Sequence, residues 1–207
     1  YADVVLLVEG ASERILFSRI LEEKFRYYEN DGGYILQVDG ISFKEYITIL
    51  EKLGIKTIVK TDNDLKLNED KKEINYLGMN RCFDIIKKTK LNNKGSIDIK
   101  EYKDNVEYKK DLQKKIYLKK HIKEFIKNDI FLSEIDLEND LYNIIPEAMD
   151  KLKRNNGSKK SAVDYLQTAK QINMIELCNL LDDEEINRIY ENPLFECLKS
   201  MVKICSH

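Results

Sequence analysis

Val4-Val5-Leu6-Leu7-Val8-Glu9-Gly10, answered about fifty residues later by Lys56-Thr57-Ile58-Val59-Lys60-Thr61-Asp62-Asn63-Asp64, decides the reading of this chain. Both segments are β-branched, mostly apolar runs without alternation, which suits strands covered on both faces of a parallel sheet, and both stop at acidic residues. Working outward, Ser12 is expected to cap a helix whose Ile15, Leu16, Ile20 and Leu21 recur at helical spacing, running to about Tyr27. Asn30-Asp31-Gly32-Gly33 then breaks the chain, and Tyr34 to Val38 reads as a second strand ending at Asp39-Gly40. Ser42 caps a second helix with Phe43, Tyr46, Ile47 and Leu50 on one face, and Gly54 closes it. Strand, helix, strand, helix, strand at this spacing predicts an α/β fold built on a right-handed parallel sheet.

A fourth strand is expected at Ile130 to Ser133, and the roughly 65 residues before it exceed one crossover helix. A helical insertion at about residues 80–128 is therefore predicted, its first helix over Asn80 to Thr89. From Lys87 to Lys127 there are 14 lysines against 6 acids in a chain of net charge −2, so the remainder is strongly acidic. Ile99, Tyr102, Val106, Leu112, Ile116, Ile122 and Ile126 recur at mostly helical spacing, which makes this stretch one or two amphipathic helices with a basic face. Downstream, helices are expected over Asp136 to Ile145, Lys160 to Ala169, Met174 to Leu181, Glu184 to Tyr190 and Leu194 to Ile204, with a polar loop at Lys153 to Lys160. The expected organisation is a catalytic α/β domain at 1–150 carrying the insertion, and a helical extension at 151–207 packed on or beside it.

At 207 residues, 43% hydrophobic and 35% charged, the chain has enough apolar content for one core and too little in any run for a bilayer crossing. A soluble, cytoplasmic protein without membrane partners is expected. The chain starts at Tyr1 and enters a strand almost at once, the expectation for a piece of a longer polypeptide. Cys82, Cys178, Cys197 and Cys205 show no CxxC spacing, and His121 and His207 are the only histidines. Zinc binding and His-assisted nucleophilic catalysis both lack their usual residues, leaving carboxylates and lysines to carry any chemistry.

In an open parallel sheet, ligands bind where loops converge at the carboxyl ends of the strands. Here Glu9 and Glu13 follow the first strand, Asp39 the second, Asp62 and Asp64 the third, and Glu134, Asp136 and Glu138 the fourth. Loops favour Asp for turn and capping reasons, which accounts for Asp39 and equally for Asp136 as a helix cap, and leaves Glu134 ambiguous. Taken together, the acids would repel one another without a cation, and oxygen donors without sulfur or imidazole suit Mg²⁺ or Mn²⁺. Such ions polarise a phosphodiester and activate water, and a pair of them clamps the attacking and leaving oxygens.

VVLLVEGASERILF and KTIVKTDND resemble the Glu-Gly and Asp-x-Asp motifs of the TOPRIM fold, and the details resemble the OLD family of ATP-dependent nucleases, which includes the Gabija defence nuclease. VDGISFKEYITIL and FLSEIDLENDL match further segments of that family, although the second strand here ends in Asp-Gly where Gly-Gly is usual. The resemblance implies that Glu9 and Glu13 bind one metal and Asp62 and Asp64 another, with Ser133 and Glu138 completing the shell. It also implies a catalytic lysine in the helical tail, and Lys160, beside Lys159, is the candidate; both would also bind DNA. A lysine aimed at the developing negative charge would stabilise the transition state of hydrolysis.

The implied function is a Mg²⁺- or Mn²⁺-dependent DNA endonuclease, the C-terminal part of an OLD-family protein with a role in anti-phage defence. Its expected partners are DNA, the parent protein's ATPase domain and further copies of itself. No GxxxxGK(S/T) loop occurs, so no nucleotide site is expected in this chain. The insertion lysines serve equally as a phosphate-backbone track or as a solvated arm. The alternatives are a non-catalytic TOPRIM module of the recombination-mediator kind, or a topoisomerase or primase domain. A topoisomerase would need a separate tyrosine-bearing domain and a primase a zinc module. Receiver domains and haloacid-dehalogenase-type phosphatases place an Asp where Glu9 stands.

Overall fold

A computed structural model of the chain describes residues 2–39, 42–89, 98–117 and 120–205; the expected second-strand end at Gly40 lies outside them. The elements are β1 (Val4–Val8), α1 (Ala11–Lys24), β2 (Gly33–Gln37), α2 (Phe43–Lys52), β3 (Lys56–Thr61), β4 (Leu65–Asn68), β5 (Glu73–Tyr76) and α3 (Leu77–Ile85). They continue through α4 (Ile99–Asp104), α5 (Val106–Tyr117), α6 (His121–Lys127), β6 (Ile130–Leu132), α7 (Leu137–Ile144) and α8 (Pro146–Asn155). The tail holds α9 (Ala162–Thr168), α10 (Lys170–Leu180), α11 (Asp183–Glu191), a 3₁₀ turn at Pro193–Phe195, and α12 (Glu196–Cys205).

The four expected strands form one parallel sheet in the order β2-β1-β3-β6. Leu6 of β1 is level with Ile35 of β2 and Ile58 of β3. Every residue of β1 is buried, because its alternating side chains feed two separate cores. Val4, Leu6 and Val8 join α1 and the helices after β6, whereas Val5 and Leu7 join α2, α3 and the insertion. The result is a sheet between two helical layers, as an unbroken apolar strand requires.

Element boundaries differ from the sequence reading where a cap was misplaced. Gly10, in extended conformation at φ −139°, is the N-cap of α1, and no side chain caps it. Ser12 therefore lies inside the first turn, too late to cap, and is buried, while Glu13 occupies the third helical position, from which an acid favours the helix N-terminus. The helix stops at Lys24, short of Tyr27. Ser42 caps α2 as expected, accepting from the Lys44 N–H at 3.3 Å. Ser161, not Lys160, opens α9 as its cap, accepting from the Asp164 N–H, and α10 starts four residues before Met174.

An antiparallel β4–β5 hairpin follows Asp64 directly, ahead of the expected insertion and where no element was expected, and its Leu65–Leu67 and Ile74–Tyr76 alternation is the signal that was available. Because β5 runs straight into α3, the first insertion helix starts at Leu77 rather than Asn80, and Lys87, at φ 56°, lies beyond its end. Helices α4 to α6 are amphipathic as expected: Tyr102, Ile116 and Phe125 are buried in the second core, while Lys103, Lys114 and Lys115 are exposed. Within the tail, α10 lies along α1, and α12 packs under β1 and β3. No helix among the described residues is long and apolar enough to cross a membrane.

Candidate metal centre

Register alone delivers the first two acidic groups to one place. Leu7 of β1 pairs with Val59 of β3, so the two strands leave the sheet at nearly the same level and Glu9 meets the start of the Asp-Asn-Asp loop. The Glu9 carboxylate accepts from the Asp62 N–H at 2.8 Å and from the Thr61 hydroxyl. Within the loop, Asn63 points inward and is fully buried, donating to the carbonyls of Gln113 (3.0 Å) and Glu134 (2.9 Å). Gln113 returns a hydrogen bond to the Asn63 carbonyl at 2.7 Å. The middle residue thus anchors the loop to α5 and to the segment after β6, leaving Asp62 on the side that faces Glu9.

Ser133, wholly buried just past β6, donates its hydroxyl to Asp62 at 3.1 Å. Glu13 from α1 and Glu138 from α7 are both buried, and with Glu9, Asp39 and Asp62 they line one cleft of about 270 Å³. Asp136 instead caps α7, accepting from the Asn139 N–H at 2.8 Å. The Glu134 backbone N–H donates to Asp140 at 3.2 Å, and its carbonyl is the one taken by Asn63.

The acids strain one another electrostatically. Removal from water, followed by the charges of Glu13, Glu9, Asp136 and Asp64, pushes the Asp62 carboxyl well above the ordinary range. Burial, opposed by its own helix N–H, and then the charges of Glu9 and Glu138 raise Glu13 as well, despite Lys170. No cation among the described residues pairs with Asp62 within 4 Å.

Two basic groups missed by the sequence reading reach this cluster. Arg81 of α3 bridges Glu9 and Asp64 and also donates to the Thr61 hydroxyl at 2.9 Å. Burial would lower its pKa, but the two carboxylates outweigh that and raise it. Lys170, at the start of α10, lies 3.4 Å from Glu138 and lines the cleft, which neither Lys159 nor Lys160 does. Its ammonium, disfavoured by partial burial, is held by Glu138 and by the field of Asp62 and Glu13. Arg81 sits 17 residues beyond Asp64, and Lys170 lies more than thirty beyond Glu138; neither spacing forms a local pattern.

As they stand, no three acids among the described residues converge closely enough to hold an ion. The donors nevertheless fit a hard dication in kind: all are oxygens, and burial among like charges disfavours the Asp62 carboxylate unless a cation joins it.

Comparison with known proteins agrees with this architecture. The profile of the family described as "Overcoming lysogenization defect protein-like, TOPRIM domain" matches residues 1–64, the segment from β1 through Asp64. Endonuclease GajA of Bacillus cereus (strain VD045) is 41% identical over 208 residues, covering 98% of this chain, which spans only 35% of that protein's length. The C-terminal region of the Xanthomonas campestris pv. campestris OLD protein superposes with a TM-score of 0.54 at 17% identity, covering 100% of this chain and 99% of that one. The corresponding region of the Burkholderia pseudomallei OLD protein gives 0.52 at 15% identity, covering 98% and 88%. Residues 1–64 therefore belong to the OLD-like TOPRIM family, and the likeness to GajA runs along nearly the whole of this chain and 35% of that protein's length.

Proposed function

We propose that this chain is the catalytic part of a metal-dependent DNA endonuclease of the OLD family, hydrolysing phosphodiester bonds. The observation that carries this reading is the Asp62 carboxylate, set among Glu9, Glu13 and Asp64 with no cation partner among the described residues. Nothing in packing or capping calls for so unfavourable a cluster, whereas a bound dication would make it favourable. The likeness to a protein named as an endonuclease supports the same conclusion.

Glu9, Glu13 and Glu138 would hold one Mg²⁺ or Mn²⁺, and Asp62 and Asp64 a second, with Ser133 orienting Asp62 through its hydroxyl. When bound, these ions would supply Lewis-acid polarisation of the phosphodiester and a more acidic attacking water. The buried Thr61 hydroxyl and the Asp62 N–H hold the Glu9 carboxylate in one orientation at the strand end. Lys170 takes the role that the sequence reading assigned to Lys160, a cation facing the transferring phosphate, because it lines the acidic cleft. Lys159 and Lys160, on the loop before α9, remain available for the DNA backbone. On the other side of Glu9 a cleft of about 480 Å³, lined by Phe43, Lys44, Leu77 and Arg81, offers room for the strand leaving the site.

The ATPase domain and self-association expected of the parent protein, and a place in anti-phage defence, belong to the same proposal. Incubation of the chain with supercoiled plasmid in Mg²⁺, Mn²⁺ or EDTA tests it. Nicking or linearisation should require the metal and disappear in Asp62→Ala and Glu9→Ala. Metal-independent DNA binding without cleavage, unchanged in both variants, would instead identify a non-catalytic module.

A further inference from the structure

The bridge made by Arg81 is built into the fold. Helix α3, which carries it, is seated directly on the Asp-Asn-Asp loop: the Gly78 N–H donates to the Asp64 carbonyl at 3.2 Å, and a Cβ on Gly78 would come within 2.1 Å of the Asp62 carbonyl oxygen. From that seat the guanidinium spans two carboxylates belonging to different strand ends, Glu9 after β1 and Asp64 after β3. A planar fork with several donors is the side chain suited to such bridging. One positive charge, however, leaves the surrounding acids in excess, since Asp62 and Glu13 have no share in the bridge.

We infer that Arg81 is a displaceable counter-ion, which holds Glu9 and Asp64 together in the metal-free chain and competes with a divalent cation for their oxygens. The inference rests on the proposed metal-dependent reading of the same site. It gives the cluster two states: one closed by a guanidinium, neutralised in part and idle, and one open to the ion. Apparent metal affinity is then reduced by the fraction of molecules in the open state. Arg81 also lines the neighbouring cleft with Lys44, so the side chain has somewhere to go when released.

Mn²⁺ binding to the full chain, followed by the electron paramagnetic resonance signal of free Mn²⁺, tests this without any nuclease assay. If the bridge is closed about nine-tenths of the time, Arg81→Gln binds Mn²⁺ about tenfold more tightly than the unaltered chain. In EDTA the same variant melts at a lower temperature, and saturating Mn²⁺ narrows the difference. Arg81→Lys, which keeps the charge but reaches one carboxylate at a time, gives an intermediate affinity; should Arg81→Gln not fold by circular dichroism, this comparison decides. Equal or weaker Mn²⁺ binding in the variants, with binding intact in the unaltered chain, overturns the counter-ion role alone. Failure of every form to bind Mn²⁺ overturns it together with the metal-dependent reading.

Discussion

Lys60 shows how far a single residue can depart from what its sequence context implies. It sits within β3, 2% exposed, with its ammonium donating to the Leu194 carbonyl at 3.1 Å, 4.0 Å from Asp140 and 5.5 Å from the centre of the Phe195 ring. Asp140 accepts in turn from the backbone N–H groups of Glu134 and Ile135, so the pair ties the loop after Ser133 to the sheet and the tail. Burial pushes the Asp140 carboxyl up to about 6, although Lys60 and those N–H groups oppose it. Lys60→Ala leaves Asp140 buried without its counter-charge and should cost about 3–5 kcal/mol in urea unfolding. A loss no larger than that of an exposed lysine such as Lys115 would refute the structural role. The thiols behave in the opposite, inert sense. Burial pushes Cys82 and Cys178 up to about 12 and Cys197 up to about 11, while Cys205 is also raised but remains partly exposed. A raised thiol pKa means less thiolate at any given pH, so native alkylation at about pH 8 should label Cys205 first and leave the other three until the chain unfolds. Mass spectrometry of the labelled peptides reads the order.

At the scale of elements, α3 is the part whose position matters most to the candidate centre. Its first turn touches the backbone of the Asp-Asn-Asp loop through Gly78, and its second carries Arg81 into the acids. Gly78→Ala places a methyl against a carbonyl and a Cα, both backbone atoms that cannot rotate away. The helix or the loop must shift, with an expected loss of about 2–3 kcal/mol. Mn²⁺ affinity should fall with it because Asp62 and Asp64 move; retention of both stability and affinity would show that the contact yields more easily than its geometry implies. By contrast, Gly10 has an ordinary extended backbone, and a Cβ there would meet only the tip of the Glu13 carboxylate at 3.1 Å. Its smallness serves the space around Glu13 and not a left-handed turn. The local elements themselves were largely readable: four strands, the α2 cap at Ser42 and the α7 cap at Asp136 follow from periodicity and short-range hydrogen bonding. The hairpin of β4 and β5 escaped because alternation over strands of only four residues leaves two apolar positions in each, too short a pattern to stand out from a polar loop.

Across the whole molecule, the tail is part of the core beneath the sheet. Leu166, Met174, Leu177, Ile186, Phe195, Leu198 and Met201 are all buried in the cluster that holds Val4, Leu6 and Val8. Gly33 marks the tightness of this packing, since a Cβ there would approach the Met201 side chain at 2.7 Å and the Cys205 sulfur at 2.8 Å. A chain ended after Asn156 should lose cooperative thermal unfolding and its near-ultraviolet circular dichroism, because one face of β1 and of α1 would be stripped. A sharp melting transition in that fragment would show that the segment up to Asn156 forms a self-sufficient unit. The tail also brings Lys170 to Glu138, which makes it a supplier of charge to the cleft as well as of apolar area.

The sequence by itself determined the alternation of strands and helices, the parallel sheet and the acids at its carboxyl edge, because each is written in residues a few positions apart. Strand polarity puts Glu9, Asp62 and Glu138 on one edge whatever else the chain does. Only the tertiary structure decided which cations face those acids. Arg81 and Lys170 reach the cleft through the seating of α3 on a loop and of α10 on α1, contacts between segments far apart in the chain. Side-chain chemistry identifies a lysine or arginine as a candidate anywhere, but close packing of helices against a sheet selects the one whose charge is within reach.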